Sequence, residues 1–165
     1  MKMNNDRVDI LFVEDNEYEA KLAIHSLKKH NLSNNLLHLK DGQQAIDYIF
    51  GSGPYADRDL SQTPKLILLD INLPKVNGME ILTMIKTDER TKLIPVVILT
   101  SSCESSDVTT GYALGANSYI VKPVEYECFN KTVIDLGIYW SVYNVQVPSA
   151  IQPLCPSIEG MEHGV

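Results

Sequence analysis

Five short apolar runs recur along the chain, and each is followed by turn residues and then by a stretch with helical spacing. Strands that are buried on both faces of a parallel sheet have continuous apolar runs rather than an alternating pattern. The runs are therefore predicted to be strands. In chain order they are Val8–Val13, Leu36–Leu39, Leu66–Leu69, Ile94–Thr100 and Ser118–Pro123.

The stretches between these runs have the spacing of amphipathic helices. In the first, Ala20, Ala23 and Leu27 recur at helical intervals behind a predicted N-cap at Asn16. The later helices are predicted from Ala45 to Phe50, from Asn77 to Ile85, from Glu104 to Leu114 and from Glu125 to Val142. Strict alternation of strands and helices predicts an α/β fold, a doubly wound five-stranded parallel sheet, because right-handed crossovers place helices on both faces.

Polar side chains stand where the predicted strands end. Asp70 follows the third run directly, and Glu14 and Asp15 follow the first. Thr100 and Lys122 stand at the ends of the fourth and fifth. The carboxyl ends of parallel strands lie at one edge of the sheet, where α/β folds bind their ligands. We therefore expect these side chains to converge on Asp70.

The expected cluster has a specific chemistry. Neighbouring carboxylates repel each other unless a cation is bound, and Mg²⁺ pairs carboxylates with phosphoryl oxygens. A lysine and a hydroxyl can bind a phosphoryl group, and a carboxylate can act as the nucleophile toward phosphorus. Taken singly, Asp70 and Thr100 could be caps and Lys122 a solvated side chain. Their arrival at one edge favours a functional site.

Four segments resemble the receiver domain of two-component response regulators. They are Ile10–Asn16, Leu68–Gly78, Val96–Ser101 and Tyr119–Pro123, and the similarity runs from about Val8 to Tyr143. The run Tyr112–Val124, with Ile138, Tyr139 and Trp140, further resembles the small stand-alone regulators associated with bacterial and cyanobacterial phytochromes. The resemblance implies a flavodoxin-like sheet with strand order 2-1-3-4-5 and five helices.

The resemblance also implies a role for each matching residue. Asp70 would be the phospho-acceptor. Mg²⁺, or Mn²⁺ as a substitute, would be held by Asp15, Asp70 and the backbone carbonyl of Asn72, and by Glu14 through a water molecule. The phosphoryl-binding and switch residues would be Thr100, Ser101, Lys122 and Tyr119. Asn72 and Ser102 would tune the phosphate lifetime, and the Lys122–Pro123 bond would be cis.

The resemblance implies partners as well. The phosphoryl donor would be a sensor histidine kinase of phytochrome type. Phosphorylation would change the face made by helix four, strand five and helix five, and the signal would pass by contact or through a phosphotransfer protein. The chain would not be an enzyme beyond its own phosphorylation and dephosphorylation.

The last predicted helix has more apolar surface than one sheet face requires. Exposed apolar patches mark interfaces, so we expect a homodimer through this helix. The alternative is that the C-terminal tail buries the second stripe. The predicted dimer face consists of Phe129, Val133, Ile134, Ile138, Trp140 and Val142.

Composition limits the remaining possibilities. The chain has 165 residues and a net charge of -7, which suits one domain and argues against nucleic acid as a partner. No run is long enough for a membrane span, and the polar N-terminus does not resemble a signal peptide. Cys103, Cys128 and Cys155 form no CxxC pair, so a cytoplasmic protein is expected. The predicted organisation is a lead over 1–7, a receiver domain over 8–145 and a flexible tail over 146–165.

Other functions remain open. An aspartate-nucleophile phosphatase of the haloacid dehalogenase type would need a second Asp where Asn72 stands. A flavodoxin-like cofactor binder would need a phosphate-binding loop in place of Glu14 and Asp15. A phosphorylation-independent adaptor could use the same fold, although the acidic cluster argues against it.

Overall fold

The computed structural model describes residues 7–32 and 35–148. Strands and helices alternate through them as the apolar pattern predicts. The elements are β1 (Ile10–Val13), α1 (Glu17–Lys29), β2 (Leu36–Leu39), α2 (Gly42–Phe50), β3 (Leu66–Leu69), α3 (Gly78–Thr87), β4 (Val96–Thr100), α4 (Ser105–Ala113), β5 (Ser118–Val121) and α5 (Tyr126–Ile138). A short 3₁₀ turn (Gly53–Tyr55) follows α2, and a π-helical turn (Tyr139–Tyr143) follows α5.

The strands form one parallel sheet in the order β2-β1-β3-β4-β5, which confirms the expected topology. Every residue of β1, β3 and β4 is buried, because helices cover both faces of the sheet at these positions. Alternate side chains of β3 enter different layers. Ile67 and Leu69 belong to the apolar cluster that includes α2 and α3, and Leu66 and Leu68 to the one that includes α1 and α5.

Side-chain caps fix where three helices begin. The Asn16 side chain accepts hydrogen bonds from the backbone amides of Tyr18 and Glu19, as its sequence position predicts. Asp41 caps α2 by accepting from the amide of Gln44. Asn77 forms a capping box with Glu80 at the start of α3. The caps of α1 and α3 set the chain direction just beyond the strands that carry Glu14 and Asp70.

The last helix differs from the prediction in two ways. Its regular α-helical part ends at Ile138, and the Asn144 amide then bonds the Tyr139 carbonyl at 2.7 Å in a π-helical turn. Phe129 and Val133 are buried in the apolar layer between α5, α1 and the sheet, so their assignment to a dimer face is wrong. Periodicity detects the two apolar stripes of a helix but does not say which one faces the sheet.

The rest of the predicted dimer face is divided. Ile134, Ile138 and Trp140 are partly buried, and Trp140 packs against the α1–α5 layer. Trp140 also lines a groove of about 750 Å³ together with residues 144–148. Val142 is 63% exposed. The exposed apolar surface is therefore concentrated at the C-terminal end of this helix, around Val142 and Tyr143.

Parts of the predicted organisation lie outside the described residues. These are the lead before Arg7, the tail beyond Pro148 and Cys155. Within 7–32 and 35–148, no helix has the length and apolar character needed to cross a membrane.

Candidate functional site

Three carboxylates meet at the carboxyl end of the sheet. Glu14 and Asp15 directly follow β1 and Asp70 directly follows β3, and ligand oxygens of the three lie within 4.8 Å of one another. Glu14 is 1% exposed and Asp70 is 5% exposed, whereas Asp15 is open to solvent. Carboxylate oxygens are the ligands that hard divalent cations prefer. The donor set therefore fits a divalent cation that enters from the Asp15 side.

The Lys122 side chain lies within this acidic cluster. Its ammonium donates to Glu14 Oε2 at 2.5 Å, to Glu19 Oε2 at 2.6 Å and to Asp70 Oδ2 at 2.9 Å. The side chain is 6% exposed. Since the chain reaches this point just beyond β5, the structure brings Lys122 to Asp70 as the strand pattern predicts.

Burial and charge act in opposite directions on the groups of this cluster. Burial is the largest influence on Glu14 and raises its pKa to about 7, against the lowering effect of Lys122. Burial also disfavours the Lys122 ammonium, but its hydrogen bonds to Glu14 and Glu19 outweigh this, and the pKa of Lys122 is raised. The net effect favours the charged form of Lys122, whereas burial favours the protonated form of Glu14.

The loop after β4 carries the predicted hydroxyl groups. Thr100 is fully buried, and its Oγ1 accepts a hydrogen bond from the Ser102 amide at 3.4 Å. Ser102 Oγ donates to Asp107 Oδ2 in α4 at 2.5 Å, which orients this side chain toward α4. Ser101 is exposed.

Tyr119 of β5 contacts the same loop. Its hydroxyl donates to the Ser102 carbonyl at 3.1 Å, and its ring packs against the α2–α3 layer. Burial raises the pKa of the Tyr119 hydroxyl, so it remains a donor. Tyr119 therefore connects β5 to the loop that follows Thr100.

The loop after Asp70 approaches its neighbours very closely. The Asn72 amide donates to Asp70 Oδ1 at 3.3 Å, and the Asn72 side chain is exposed. An added Cβ on Gly78 would lie 2.1 Å from the Asp70 carbonyl oxygen. The loop is also tied to the start of α2, because Lys75 pairs with Asp41 at 2.8 Å. These contacts restrict the backbone of the loop that follows Asp70.

Comparison with known proteins identifies this arrangement. A family profile described as "Response regulator receiver domain" matches residues 10–133, which is more than half of the chain. The chain belongs to the response regulator receiver domain family.

Two curated receiver-domain relatives cover most of this chain. "Probable methanogenesis regulatory protein FilR2" of Methanothrix harundinacea is 38% identical over 82% of this chain and 84% of its own. The response regulator Rcp1 of Synechocystis is 37% identical over 86% of this chain and 93% of its own.

Solved receiver structures agree with this assignment. The phosphorylated cyanobacterial phytochrome response regulator RcpA has a TM-score of 0.78 at 33% identity, covering 85% of this chain and 98% of its own. The Mn²⁺-bound form of Rcp1 also has a TM-score of 0.78, at 34% identity, covering 84% of this chain and 98% of its own. The chain is thus close to stand-alone, phytochrome-associated receivers.

One feature expected of this receiver domain is not found. The described residues contain no cis peptide bond, so the Lys122–Pro123 bond is trans and the predicted cis bond is wrong for this structure. The trans form of a bond before proline is more stable by about 0.5–1 kcal/mol. A cis bond is therefore adopted only where contacts with its surroundings outweigh this difference. Lys122 reaches Asp70 with the trans bond.

Two contacts in the receiver site were not predicted from the sequence. Glu19 lies in the first turn of α1, where an acid suits the positive helix end, and it also accepts a hydrogen bond from Lys122 at 2.6 Å. His38 of β2 donates through Nε2 to the Glu14 carbonyl at 2.8 Å and so anchors the β1–α1 loop. The contact of His38 could have been inferred from the pairing of β1 with β2, which places His38 near the end of β1. The contact of Glu19 could have been inferred from its position four residues, or about one helical turn, after Asp15.

Proposed function

We propose that this chain is a phosphorylation-activated switch that receives a phosphoryl group on Asp70 from a sensor histidine kinase. The observation that carries the proposal is the position of Asp70, which belongs to an acidic cluster suited to a cation and also accepts a hydrogen bond from the Lys122 ammonium. The chain acts as a cytoplasmic signalling protein and catalyses only its own phosphorylation and dephosphorylation.

The residues of the site have different roles in phosphoryl transfer. An Asp70 carboxylate oxygen attacks phosphorus as the bond from phosphorus to the donor histidine nitrogen breaks. That nitrogen keeps the bonding electron pair, and the donor leaves as neutral imidazole because its other ring nitrogen carries a proton. Lys122 binds a phosphoryl oxygen and stabilises the charge that develops on it. Mg²⁺, or Mn²⁺ in its place, would be held by Glu14, Asp15, Asp70 and the Asn72 carbonyl, and would offset the repulsion between the phosphoryl oxygens and the carboxylates.

The new charge then changes the surface. A phosphoryl group adds about -1.5 to -2 charge and strong acceptor oxygens, and Thr100 lies at the adjacent strand end. When the Thr100 hydroxyl turns to bind it, the Ser102 amide loses its contact with Thr100 Oγ1 and the loop can shift. Tyr119 follows through its bond to the Ser102 carbonyl. The face of α4, β5 and α5 is therefore the output surface for a target or a phosphotransfer protein.

The kinase is proposed to be of phytochrome type. This rests on similarity to RcpA, which is described as a phytochrome response regulator. Two other functions are disfavoured. Asn72 occupies the position where a phosphatase of the haloacid dehalogenase type needs an acid. An adaptor that is never phosphorylated has no need for the buried contact between Lys122 and Asp70.

Phosphorylation by a small donor tests the proposed function. We expect incubation with acetyl phosphate and Mg²⁺ to add the mass of one phosphoryl group in intact-protein mass spectrometry. The addition should be lost with EDTA, because the carboxylates then repel the donor. A phytochrome-type histidine kinase, autophosphorylated beforehand, should serve as a second donor. No added mass with either donor at any Mg²⁺ concentration would refute the proposal.

We also propose that the chain forms a homodimer through the C-terminal end of α5. Val142 is 63% exposed and Tyr143 is 71% exposed, so an apolar surface is available there. We expect Val142→Glu to shift the weight-average mass in sedimentation equilibrium toward the monomer. Met84→Glu, on the half-exposed surface of α3, is the matched control and should leave the mass unchanged. A wild-type chain that is monomeric at all concentrations, with and without phosphorylation, would refute the dimer.

A further inference from the structure

The Lys122 ammonium has no donor left to offer. A lysine ammonium carries three N–H donors, and here Glu14, Glu19 and Asp70 each accept one of them. A phosphoryl group on Asp70 must therefore take a donor from one of these carboxylates. The position of the ammonium when the phosphoryl group arrives therefore depends on which carboxylates still bind Lys122.

Glu19 differs from the other two acceptors. Glu14 and Asp70 belong to the carboxylate cluster that could hold a cation, whereas Glu19 does not. It lies in the first turn of α1, and its side chain is 33% exposed. A divalent cation on Glu14 and Asp70 would draw their negative charge away from Lys122 and would repel the ammonium. Glu19 would then be the one of the three acceptors whose negative charge is not offset by the cation, and it would still bind Lys122.

We propose that Glu19 is a positioning residue for Lys122, which it holds beside Asp70 while a cation occupies the carboxylate cluster. The inference rests on the proposed function, because it concerns the same phosphoryl site. Glu19 keeps the ammonium from competing with the cation for Glu14 and Asp70, and it leaves a donor directed at Asp70. It also connects α1 to the phosphoryl site through one ion pair.

Glu17 offers a matched control for Glu19. Both acids lie in the first turn of α1 and complement the same helix end. Glu17 instead binds Lys40 at 2.6 Å on the exposed surface. Glu17→Gln and Glu19→Gln therefore remove the same charge from the same turn, but only the second removes a contact to Lys122.

Mg²⁺ binding, measured by isothermal titration calorimetry without any phosphoryl donor, tests the inference. We expect Glu19→Gln to weaken Mg²⁺ binding about fivefold relative to Glu17→Gln, the effect of one partly buried ion pair. The reason is that Lys122 then pairs only with Glu14 and Asp70 and competes with the cation. In a Lys122→Met background, Glu19→Gln should change Mg²⁺ affinity by less than about twofold, because the two residues act as a unit. If Lys122→Met does not fold, Lys122→Gln provides the background.

The outcomes separate this inference from the proposed function. Equal Mg²⁺ affinities for Glu17→Gln and Glu19→Gln, or a Glu19→Gln effect that persists without Lys122, would refute the positioning role. A wild-type chain that acetyl phosphate cannot phosphorylate would refute the proposed function, and the Mg²⁺ titrations would still decide the role of Glu19. If both hold, Glu19→Gln should also slow phosphorylation at saturating Mg²⁺ by about fivefold, and Glu19→Asp should restore part of the rate.

Discussion

Asp70→Asn is expected to abolish phosphoryl incorporation completely. An asparagine has nearly the same shape, but its amide oxygen is not a nucleophile toward phosphorus. Lys122 keeps its bonds to Glu14 and Glu19, so the pocket should remain folded around the substituted residue. Intact-protein mass spectrometry after treatment with acetyl phosphate and Mg²⁺ should show the unmodified mass alone.

A control variant separates loss of the acceptor from a general effect of lost charge. Asp135→Asn removes a carboxylate that pairs with Lys131 on the surface of α5 and should be phosphorylated like the wild type. Asp15 is the alternative acceptor, because it belongs to the same cluster and is the most exposed of the three carboxylates. Phosphoryl mass retained in Asp70→Asn would mean that another side chain, such as Asp15, is the acceptor.

The fold could be predicted because its central strands are short apolar runs that are easily recognised in the sequence. β3 is a continuous apolar run and β4 is apolar up to Thr100, a pattern typical of strands in a parallel sheet covered on both faces. Once those strands are parallel, their carboxyl ends share an edge, and the convergence of Asp70, Glu14 and Lys122 follows from topology. The central site was therefore accessible from the residue pattern together with the fold.

The sequence did not predict which side chains of α1 and α5 point toward neighbouring elements and which point toward solvent. Glu19 and Glu17 read alike as acids at a helix start, and only the position of Lys122 distinguishes them. The two apolar stripes of α5 likewise read alike, although Phe129 and Val133 are buried under α1 and Val142 is exposed. Periodicity identifies a face of a helix, but the packing of neighbouring elements decides what that face contacts.

The proposed output surface is linked to Thr100 by three hydrogen bonds that involve Ser102. Thr100 accepts from the Ser102 amide, the Ser102 carbonyl accepts from Tyr119, and Ser102 Oγ is held by Asp107 of α4. Ser102 therefore connects both α4 and β5 to the loop at Thr100. If Thr100 binds the phosphoryl group as proposed, a change there would act on α4 and β5 at once, which suits a loop with two arrangements rather than gradual deformation.

The contact between Gly78 and Asp70 leads to the second large expected effect, that of Gly78→Ala. The added Cβ would lie 2.1 Å from the Asp70 carbonyl oxygen and 2.8 Å from the Ile71 Cα. These are backbone atoms of Asp70, the proposed phospho-acceptor, and of the loop after it, and they cannot move aside as a side chain can. We expect the free energy of unfolding, measured by urea denaturation, to fall by about 3 kcal/mol, the upper range for overpacking.

Gly137→Ala is the matched control for this effect. A Cβ on Gly137 of α5 would come within 2.7 Å of Leu27 Cδ2 and 3.1 Å of Leu32 Cδ1, both of which are ends of flexible side chains. Alanine also favours the helix by about 1 kcal/mol, so the net change should stay within about 1 kcal/mol. Gly78→Ala should also weaken Mg²⁺ binding, because it displaces the backbone between Asp70 and Asn72, whereas Gly137→Ala should not. Equal losses of stability in the two variants, with Mg²⁺ affinity unchanged in both, would show that the loop after Asp70 can relax and that its close packing does not hold Asp70 in place.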